Sequence, residues 1–191
     1  MNICVYGASS PAIAKSYVNS TEELGAKLAA RGHHMIFGGG AQGLMGAAAR
    51  GVKAGGGRVV GIAPSFFNVD GVLFQHCDEL LYTETMRERK QKMEELADAF
   101  LVTPGGPGTL DEFFEVLTLK QLGRHTKPIA VFNIHGYYND LKKQLESMVE
   151  KLFMPPENLK LFFFSENPDK LLEYLETHCD GSVAPEQMKF F

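Results

Sequence analysis

The sequence predicts an α/β protein, a three-layer, Rossmann-like and doubly wound sheet of about seven mostly parallel strands. Short runs rich in β-branched and aromatic residues recur along the chain, and all but one are followed by a helix-length amphipathic stretch. The runs are continuously apolar, as strands covered by helices on both faces are. Both glycine clusters lie where a run passes into a helix, which is where open parallel sheets bind ligands.

Seven strands are predicted from the apolar runs, and six helices from the stretches between them. The strands are placed at residues 3–6, 35–37, 59–63, 80–83, 100–103, 129–134 and 161–164. The helices are placed at about 20–31, 42–55, 86–97, 109–122, 138–152 and 168–178. Residues 64–78 break the rhythm, because they join two strands without a clear helix and carry several phenylalanines. A long apolar loop of this kind requires cover from a partner subunit or a ligand.

The chain has 191 residues, of which 45% are hydrophobic and 22% are charged, values typical of one globular domain. We expect residues 1–180 to form a single Rossmann-like nucleotide-binding and catalytic domain, and residues 181–191 to form a loosely structured C-terminal tail. The net charge of −4 argues against binding of a nucleic acid polymer. A secretion signal and a membrane-spanning run are both lacking, so a cytoplasmic location without membrane contact is expected.

The cysteines and histidines give no sign of a disulfide framework or a metal site. Cys4, Cys77 and Cys179 are odd in number and far apart, which is typical of reduced thiols. The six histidines lack the spacing of metal ligands. Neither a protein-bound metal nor a cofactor is therefore expected, and small anions stay open as ligands.

The first glycine cluster has the spacing G-x-G-x-x-G at Gly38, Gly40 and Gly43, after a strand and at the start of a helix. The spacing alone favours a dinucleotide fold, but it follows the second strand and not the first. The next strand also ends without the acidic residue that binds a ribose diol. The pattern supports two interpretations about equally: the glycines form a tight turn with close helix packing, or they contact a phosphate. The two interpretations are compatible.

The second glycine cluster runs from Thr103 through Gly105, Gly106 and Gly108 to Thr109. Glycines at the end of a strand let backbone amides approach an anion, and the dipole of the helix that follows favours negative charge there. The cluster therefore predicts a phosphate site, with the hydroxyl of Thr109 at or near the helix N-cap.

Acidic residues follow this cluster on the predicted helix. The helix dipole should keep Glu112 ionised, so that its carboxylate can oppose a developing cation or orient a water. With Glu115 and Thr118 at i+3 and i+6, it should line one wall of a cleft. For Asp111 we prefer the simpler interpretation, in which an acidic first turn suits the dipole.

The same helix leaves almost no solvated face, since six apolar residues surround it. Packing on the sheet accounts for one side, and a second subunit is the simple candidate for the other. We therefore predict a homodimer with the site near its interface. Residues 64–78 are candidates to form part of the same interface. The six residues are Phe113, Phe114, Val116, Leu117, Leu119 and Leu122.

Two further strand ends carry polar candidates. Thr85 and Glu88 have the spacing of a capping box, so a helix should start there and present Arg89 and Lys90 to the cleft. Mixed charges at i,i+4 spacing equally describe a solvated helix face. In the loop after the first strand, Ser9 and its neighbour either bind a ligand or cap the next helix.

Together these residues resemble a paired signature of the LOG family, the phosphoribohydrolases long labelled "possible lysine decarboxylases". The signature is Met86-x-x-Arg89-Lys90 followed by Pro104-Gly105-Gly106-x-Gly108-Thr109-x-x-Glu112, and residues 38–46 match the family's GGGxxGLMG. The resemblance implies a Rossmann-like dimer that hydrolyses the N-glycosidic bond of adenine-type nucleoside 5′-monophosphates, including N6-modified cytokinin forms. The products are the free base and ribose 5-phosphate.

The resemblance also implies roles for residues. Arg89 and Glu112 correspond to the catalytic pair: the carboxylate stabilises an oxocarbenium-like state or positions water, and Arg89 contacts the nucleotide or pairs with Glu112. The remaining candidates bind the substrate: Ser9, Gly40, Asp70, Met86, Lys90, Gly105, Gly106, Gly108, Thr109, Glu115 and Thr118.

Departures from the family pattern leave alternatives open. Asp70-Gly71 matches the family's Glu-x-x-Gly only loosely, and the chain has Gly-Ala-Ser-Ser where Cys-Gly-Ser-Ser is usual. Base specificity, between plain and N6-prenylated adenine, is therefore undecided. A non-catalytic nucleotide-binding module and a general AMP nucleosidase of salvage are the alternatives. A decarboxylase would need a lysine Schiff base with pyridoxal phosphate, and Lys90, the nearest lysine, is better explained by phosphate.

Overall fold

The computed structural model describes residues 1–178, which form one seven-stranded sheet in which every strand pair is parallel. The strand order is β4-β3-β2-β1-β5-β6-β7, so the direction of winding reverses between β1 and β5. In open α/β sheets the ligand crevice lies at such a reversal, beyond the carboxyl ends of the strands. The strands are β1 (Asn2–Tyr6), β2 (His34–Phe37), β3 (Val59–Pro64), β4 (Glu79–Thr83), β5 (Ala99–Val102), β6 (Ile129–Phe132) and β7 (Phe163–Ser165).

Six helices cover the two faces of the sheet. Alternate residues of β1 point to opposite faces, so Ile3 packs with α1, α2 and α6, while Cys4 packs with α3, α4 and α5. Close contact between α1 and α2 depends on Gly25, where a β-carbon would overlap the carbonyl oxygen of Ala48. The helices are α1 (Lys15–Ala30), α2 (Gly43–Ala54), α3 (Met86–Leu96), α4 (Pro107–Gln121), α5 (Asn139–Glu150) and α6 (Pro168–Thr177).

The predicted fold class is confirmed, with seven strands and six α-helices in the described part of the chain. The start of α1 was predicted too late, because its exposed first turn at Lys15 has neither a capping side chain nor an apolar stripe. Residues 64–78 contain no α-helix, as expected: Pro64 ends β3, Ser65–Phe67 form a short 3-10 turn, and Leu73 makes an isolated bridge to Gly40. The predicted tail at 181–191 and Cys179 lie outside the described residues.

Cys4 and Cys77 are free thiols, and none of the helices within residues 1–178 is both long and apolar enough to span a bilayer.

Candidate active site

A cavity of about 630 Å³ opens beyond the carboxyl ends of β1, β2 and β5, at the reversal of strand order. Its walls are the loop after β1, the glycine loop after β2, residues of the 64–78 segment and the first turn of α4. The predicted site residues that line it are Ser9, Gly40, Arg89, Gly106, Gly108, Thr109 and Glu112.

A buried ion pair lies in this cavity. The Nη2 atom of Arg89 is 3.0 Å from Oε1 of Glu112, and both side chains are more than nine-tenths buried. Arg89 comes from α3 and Glu112 from α4, and the Nε atom of Arg89 also donates to the carbonyl of Ile62 at 3.3 Å. The pairing of Arg89 with Glu112 is one of the two arrangements considered from the sequence. Two charges thus neutralise each other where little water reaches them.

The influences on the pKa of Glu112 differ from the sequence-based expectation. Burial raises the pKa of its carboxyl, and the charge and hydrogen bond of Arg89 oppose that rise. Glu112 is the sixth residue of α4, beyond the first turn in which the helix dipole acts strongly. The ionised form therefore depends on Arg89 more than on the helix.

Gly38 creates the space that Arg89 occupies. A β-carbon at this position would overlap the Nη2 atom of Arg89, so the guanidinium reaches Glu112 only across a residue without a side chain. This role was not predicted, since the G-x-G-x-x-G spacing suggested a phosphate contact or helix packing. Nothing in the sequence links Gly38 to Arg89, which lies on another element.

The helices that follow the two glycine clusters, α2 and α4, differ in the backbone amides that they could offer to an anion. In α2 the amides of Leu44 and Met45 both donate to the carbonyl of Ala8, at 2.8 and 3.3 Å, so they are already engaged. In α4 the N-cap is Gly106 and the first helical residue is Pro107, so the amides of Gly106, Gly108 and Thr109 have no intrahelical acceptor. The geometry for an anion is therefore at α4.

The glycines at the start of α4 leave these amides uncovered. A β-carbon built at Gly106 or Gly108 meets nothing within 4 Å, so the backbone there faces open space. Thr109, expected at or near the helix N-cap, is the third residue of α4, where its side chain packs against Gly105 and makes no capping hydrogen bond. Proline at the first helical position needs no side-chain cap in order to begin the helix.

Hydrogen bonds fix the loop between β5 and α4. The hydroxyl of Tyr138 donates to the carbonyl of Thr103 at 2.8 Å, and that of Tyr137 donates to the carbonyl of Gly105 at 2.9 Å. The amide of Ala8 donates to Pro104 at 3.1 Å. Burial raises the pKa of Tyr138, so its phenol stays a donor at neutral pH. The tyrosines were not identified from the sequence, in which adjacent tyrosines after a strand are the only signal.

Lys90 does not enter the cavity. Its Nζ atom lies 3.0 Å from Oδ2 of Asp111 and 2.7 Å from Oε2 of Glu115, so two carboxylates of α4 hold it. Adjacent residues of a helix point about 100° apart, which separates Lys90 from its neighbour Arg89. In the structure Lys90 therefore links α3 to α4, and the phosphate contact expected of it stays a prediction.

The other predicted residues also lie outside the cavity lining. Residues three positions apart on a helix point in directions about 60° apart. Glu115 and Thr118, which were expected to line the cleft with Glu112, therefore point progressively away from the cavity. Thr118 is exposed, and Met86 is exposed at the start of α3. The predicted residues outside the lining are Asp70, Met86, Lys90, Gly105, Glu115 and Thr118.

The lining of the cavity also includes an apolar wall. It consists of Met45 from α2 and of Phe67, Val72 and Leu73 from the 64–78 segment. Backbone hydrogen bonds join this segment to the glycine loop, from Ala41 to the carbonyl of Val72 and from residue 74 to residue 39, at 2.9 and 2.8 Å. The individual residues were not predicted, but the sequence did mark the segment as one that requires cover.

Among residues 1–178, no group of three or more His, Cys, Asp or Glu side chains is arranged to hold a metal ion.

The chain is similar to known proteins over most of its length. Residues 45–175 match the protein family described as "Possible lysine decarboxylase". A probable cytokinin riboside 5′-monophosphate phosphoribohydrolase of Oryza sativa subsp. japonica is 38% identical over 176 residues, which cover 92% of this chain and 70% of the relative. A cytokinin riboside 5′-monophosphate phosphoribohydrolase of Arabidopsis thaliana is 35% identical over 184 residues, covering 95% and 86%.

Solved structures share the fold at lower sequence identity. The molybdenum cofactor carrier protein of Chlamydomonas reinhardtii superposes with a TM-score of 0.71 at 20% identity, over 94% of this chain and 98% of that chain. The molybdenum cofactor binding protein of Rippkaea orientalis gives 0.68 at 20% identity, over 92% and 94%. At this identity the likeness establishes the architecture alone.

Proposed function

The chain belongs to the family described as "Possible lysine decarboxylase", together with the cytokinin riboside 5′-monophosphate phosphoribohydrolases, and we propose that it hydrolyses the N-glycosidic bond of adenine-type nucleoside 5′-monophosphates. Water is the second substrate, and the products are the free base and ribose 5-phosphate. One observation carries the proposal: the buried pair of Arg89 and Glu112 shares a cavity with the free amides of α4.

The proposed binding mode follows from these two features. The 5′-phosphate lies on the amides of Gly106, Gly108 and Thr109, where the helix dipole favours its charge. The ribose then extends into the cavity toward Glu112. The base rests on the apolar wall of residues 45, 67, 72 and 73, which suits both plain adenine and an N6-prenyl group.

Bond cleavage places positive charge on the sugar. As the bond between C1′ and the base nitrogen breaks, an oxocarbenium-like state forms, and a fixed carboxylate beside it stabilises charge that is absent from the ground state. Water adds to C1′, and its proton goes to the departing base. We assign both tasks to Glu112, as the counter-charge and as the acceptor that orients the water. Arg89 favours its ionised form and fixes its orientation.

The side chains that line the described cavity do not support a lysine decarboxylase. Such an enzyme needs a lysine amine to form a Schiff base with pyridoxal phosphate. No lysine is among the lining residues, and the amine of Lys90 is held between Asp111 and Glu115. The glycosidase proposal uses the residues that the cavity does contain.

The experiment is an assay of free base released from adenosine, guanosine, cytidine and N6-isopentenyladenosine 5′-monophosphates. We expect the wild type to release adenine-type bases and Glu112→Gln to lower kcat by about 10²–10³, the loss typical of one removed transition-state interaction. Asp111→Asn, a change of the exposed neighbouring carboxylate, is the matched control and should keep the wild-type rate. If the wild type releases no base, the protein is a non-catalytic nucleotide binder. If Glu112→Gln releases base as fast as the wild type, the role proposed for Glu112 is wrong.

A further inference from the structure

A second, smaller cavity of about 200 Å³ adjoins the candidate active site. The two cavities share Ala8, Ser10 and Gly106 in their linings, so they meet at the loop after β1 and the start of α4. Gly106 carries one of the free amides at that junction. An anion on these amides therefore borders both spaces.

The smaller cavity is lined by aromatic and apolar groups. Ile13, Tyr17 and Tyr137 form one wall, and among the residues that the structure describes no charged side chain takes part in the lining. The ring of Tyr17 meets the rings of His135 and Tyr137 edge-on, with centroids 5.2 and 6.2 Å away. Such a lining suits an uncharged ring and gives no reason for a second phosphate to bind there.

Hydrogen bonds hold the Tyr137 side of the aromatic wall in place before any ligand arrives. The hydroxyl of Tyr137 is fixed on the carbonyl of Gly105, and Asn133 receives the amide of Tyr138 at 2.7 Å and donates to Asn139 at 2.9 Å. Tyr137 nevertheless keeps 48% of its surface exposed, so the cavity has an open side. A preformed surface of this kind binds a ring with little loss of side-chain entropy.

A nucleoside monophosphate would leave this space empty. With its base on the apolar wall and its ribose near Glu112, its phosphate reaches Gly106 and ends there. We propose that the protein also takes nucleotides whose 5′-phosphate is joined through a phosphoanhydride to a second, ring-bearing group, which rests on Tyr17 and Tyr137. This rests on the proposed function for the orientation of the first nucleoside and for the bond that is hydrolysed.

The reaction on such a substrate is unchanged. Water breaks the bond between C1′ and the base nitrogen, the hydroxyl of water joins C1′, and its proton leaves with the base. The phosphoanhydride stays intact, and the second product is the ribosyl diphosphate that carries the other group.

Binding tests the proposal separately from catalysis. Titration calorimetry with the Glu112→Gln protein measures the affinities of AMP, ADP and diadenosine diphosphate without turnover. ADP differs from AMP by added charge, and diadenosine diphosphate differs from ADP by an added ring-bearing group. We expect diadenosine diphosphate to bind about tenfold more tightly than ADP, the gain typical of one base stacked on an aromatic ring. Tyr17→Ala in the same background should abolish the gain and leave the affinity for AMP unchanged.

Two further variants complete the test. Ile13→Asn changes the open rim of the cavity and should reduce the same gain, whereas Tyr82→Ala, an exposed tyrosine of edge strand β4, should preserve it. Equal affinities for ADP and diadenosine diphosphate, or a loss in Tyr17→Ala that is as large for AMP, would overturn the proposal. Failure of the glycosidase proposal would appear elsewhere, as a wild-type protein that binds these nucleotides and releases no base.

Discussion

Burial and the neighbouring Arg89 are the largest influences on the pKa of Glu112, and Asp111 and Lys90 have smaller ones. Burial raises the pKa of its carboxyl, and Arg89 lowers it through charge and a hydrogen bond. Arg89→Met keeps much of the side-chain length and removes the charge, so the pKa of Glu112 rises further. Because the proposed reaction uses the ionised carboxylate, we predict that the acidic limb of kcat/KM for AMP shifts to higher pH in this variant. The measurement is adenine release as a function of pH.

A matched control lies two residues earlier on α3. Arg87 is exposed, and Arg87→Met should leave the pH profile where it is in the wild type. If Arg89→Met instead lowers the rate by the same factor at every pH, Arg89 acts on the substrate and not on the protonation of Glu112.

Gly38 is a positioning residue in the proposed mechanism. A β-carbon there overlaps the guanidinium of Arg89, so Gly38→Ala forces that group away from Glu112. We predict a fall in kcat of at least tenfold with a nearly unchanged dissociation constant for AMP, because the amides of α4 are untouched. Base release and calorimetry measure the two quantities. A wild-type kcat in Gly38→Ala would show that the contact between Arg89 and Glu112 is dispensable.

At the scale of elements, α3 and α4 are joined by a layer of charged groups that continues outward from the ion pair. The amine of Lys90 lies between Asp111 and Glu115 of α4. Glu94, one turn further along α3, is half-buried, and its pKa is raised to about 7, first by burial and then by the charge of Glu115. Lys90 and Lys127 lower this pKa, and Glu95 adds a smaller rise.

Glu94 therefore gives the stability of the protein a pH dependence. Its carboxyl has a higher pKa in the folded chain than its ordinary value of 4.5, so folding favours the protonated form. The resulting stabilisation is complete below pH 4.5 and is lost as pH rises to about 7. Since Glu94→Gln imitates the protonated group, we predict that its advantage in unfolding free energy over wild type grows across this range and then levels off.

Urea unfolding at several pH values between 4.5 and 8.5 measures that difference. The adjacent and exposed Glu95 supplies the comparison: because its charge adds only the smallest of the contributions to the raised pKa of Glu94, Glu95→Gln should change the pH dependence of stability far less than Glu94→Gln does. A Glu94→Gln protein whose advantage is constant, or falls with rising pH, would contradict the assignment of the titration to Glu94.

At the scale of the whole molecule, periodicity explains what was predictable from the sequence. The apolar runs identified all seven strands, and the glycines before Thr109 and Glu112 identified the helix start that borders the cavity. Contacts between distant elements were not predictable, as between Gly38 after β2 and Arg89 on α3. Glu115 and Thr118 show the same limit, because they do not line the cavity with Glu112. Helical spacing predicts which residues are neighbours on one helix, and it does not predict which groups of other elements face them.

The outer face of α4 is the basis for the predicted homodimer. Phe113 and Val116 are fully buried against the sheet, whereas Leu122 at the end of α4 is 46% exposed and Phe114 only partly covered. Phe66 and Val69 in the 64–78 segment are each 59% exposed as well. A second copy that covers these groups would bury apolar surface which a lone subunit leaves in water.

We predict that the protein sediments as a dimer and that Leu122→Asp shifts it toward monomer, because the new carboxylate would lose its hydration in the interface. Analytical ultracentrifugation over a range of concentrations measures the shift. Leu152→Asp is the control, since Leu152 is 91% exposed in the turn after α5, on another part of the surface. If Leu152→Asp dissociates the protein and Leu122→Asp does not, the subunits meet at the turn after α5, and the partly covered face of α4 has another role.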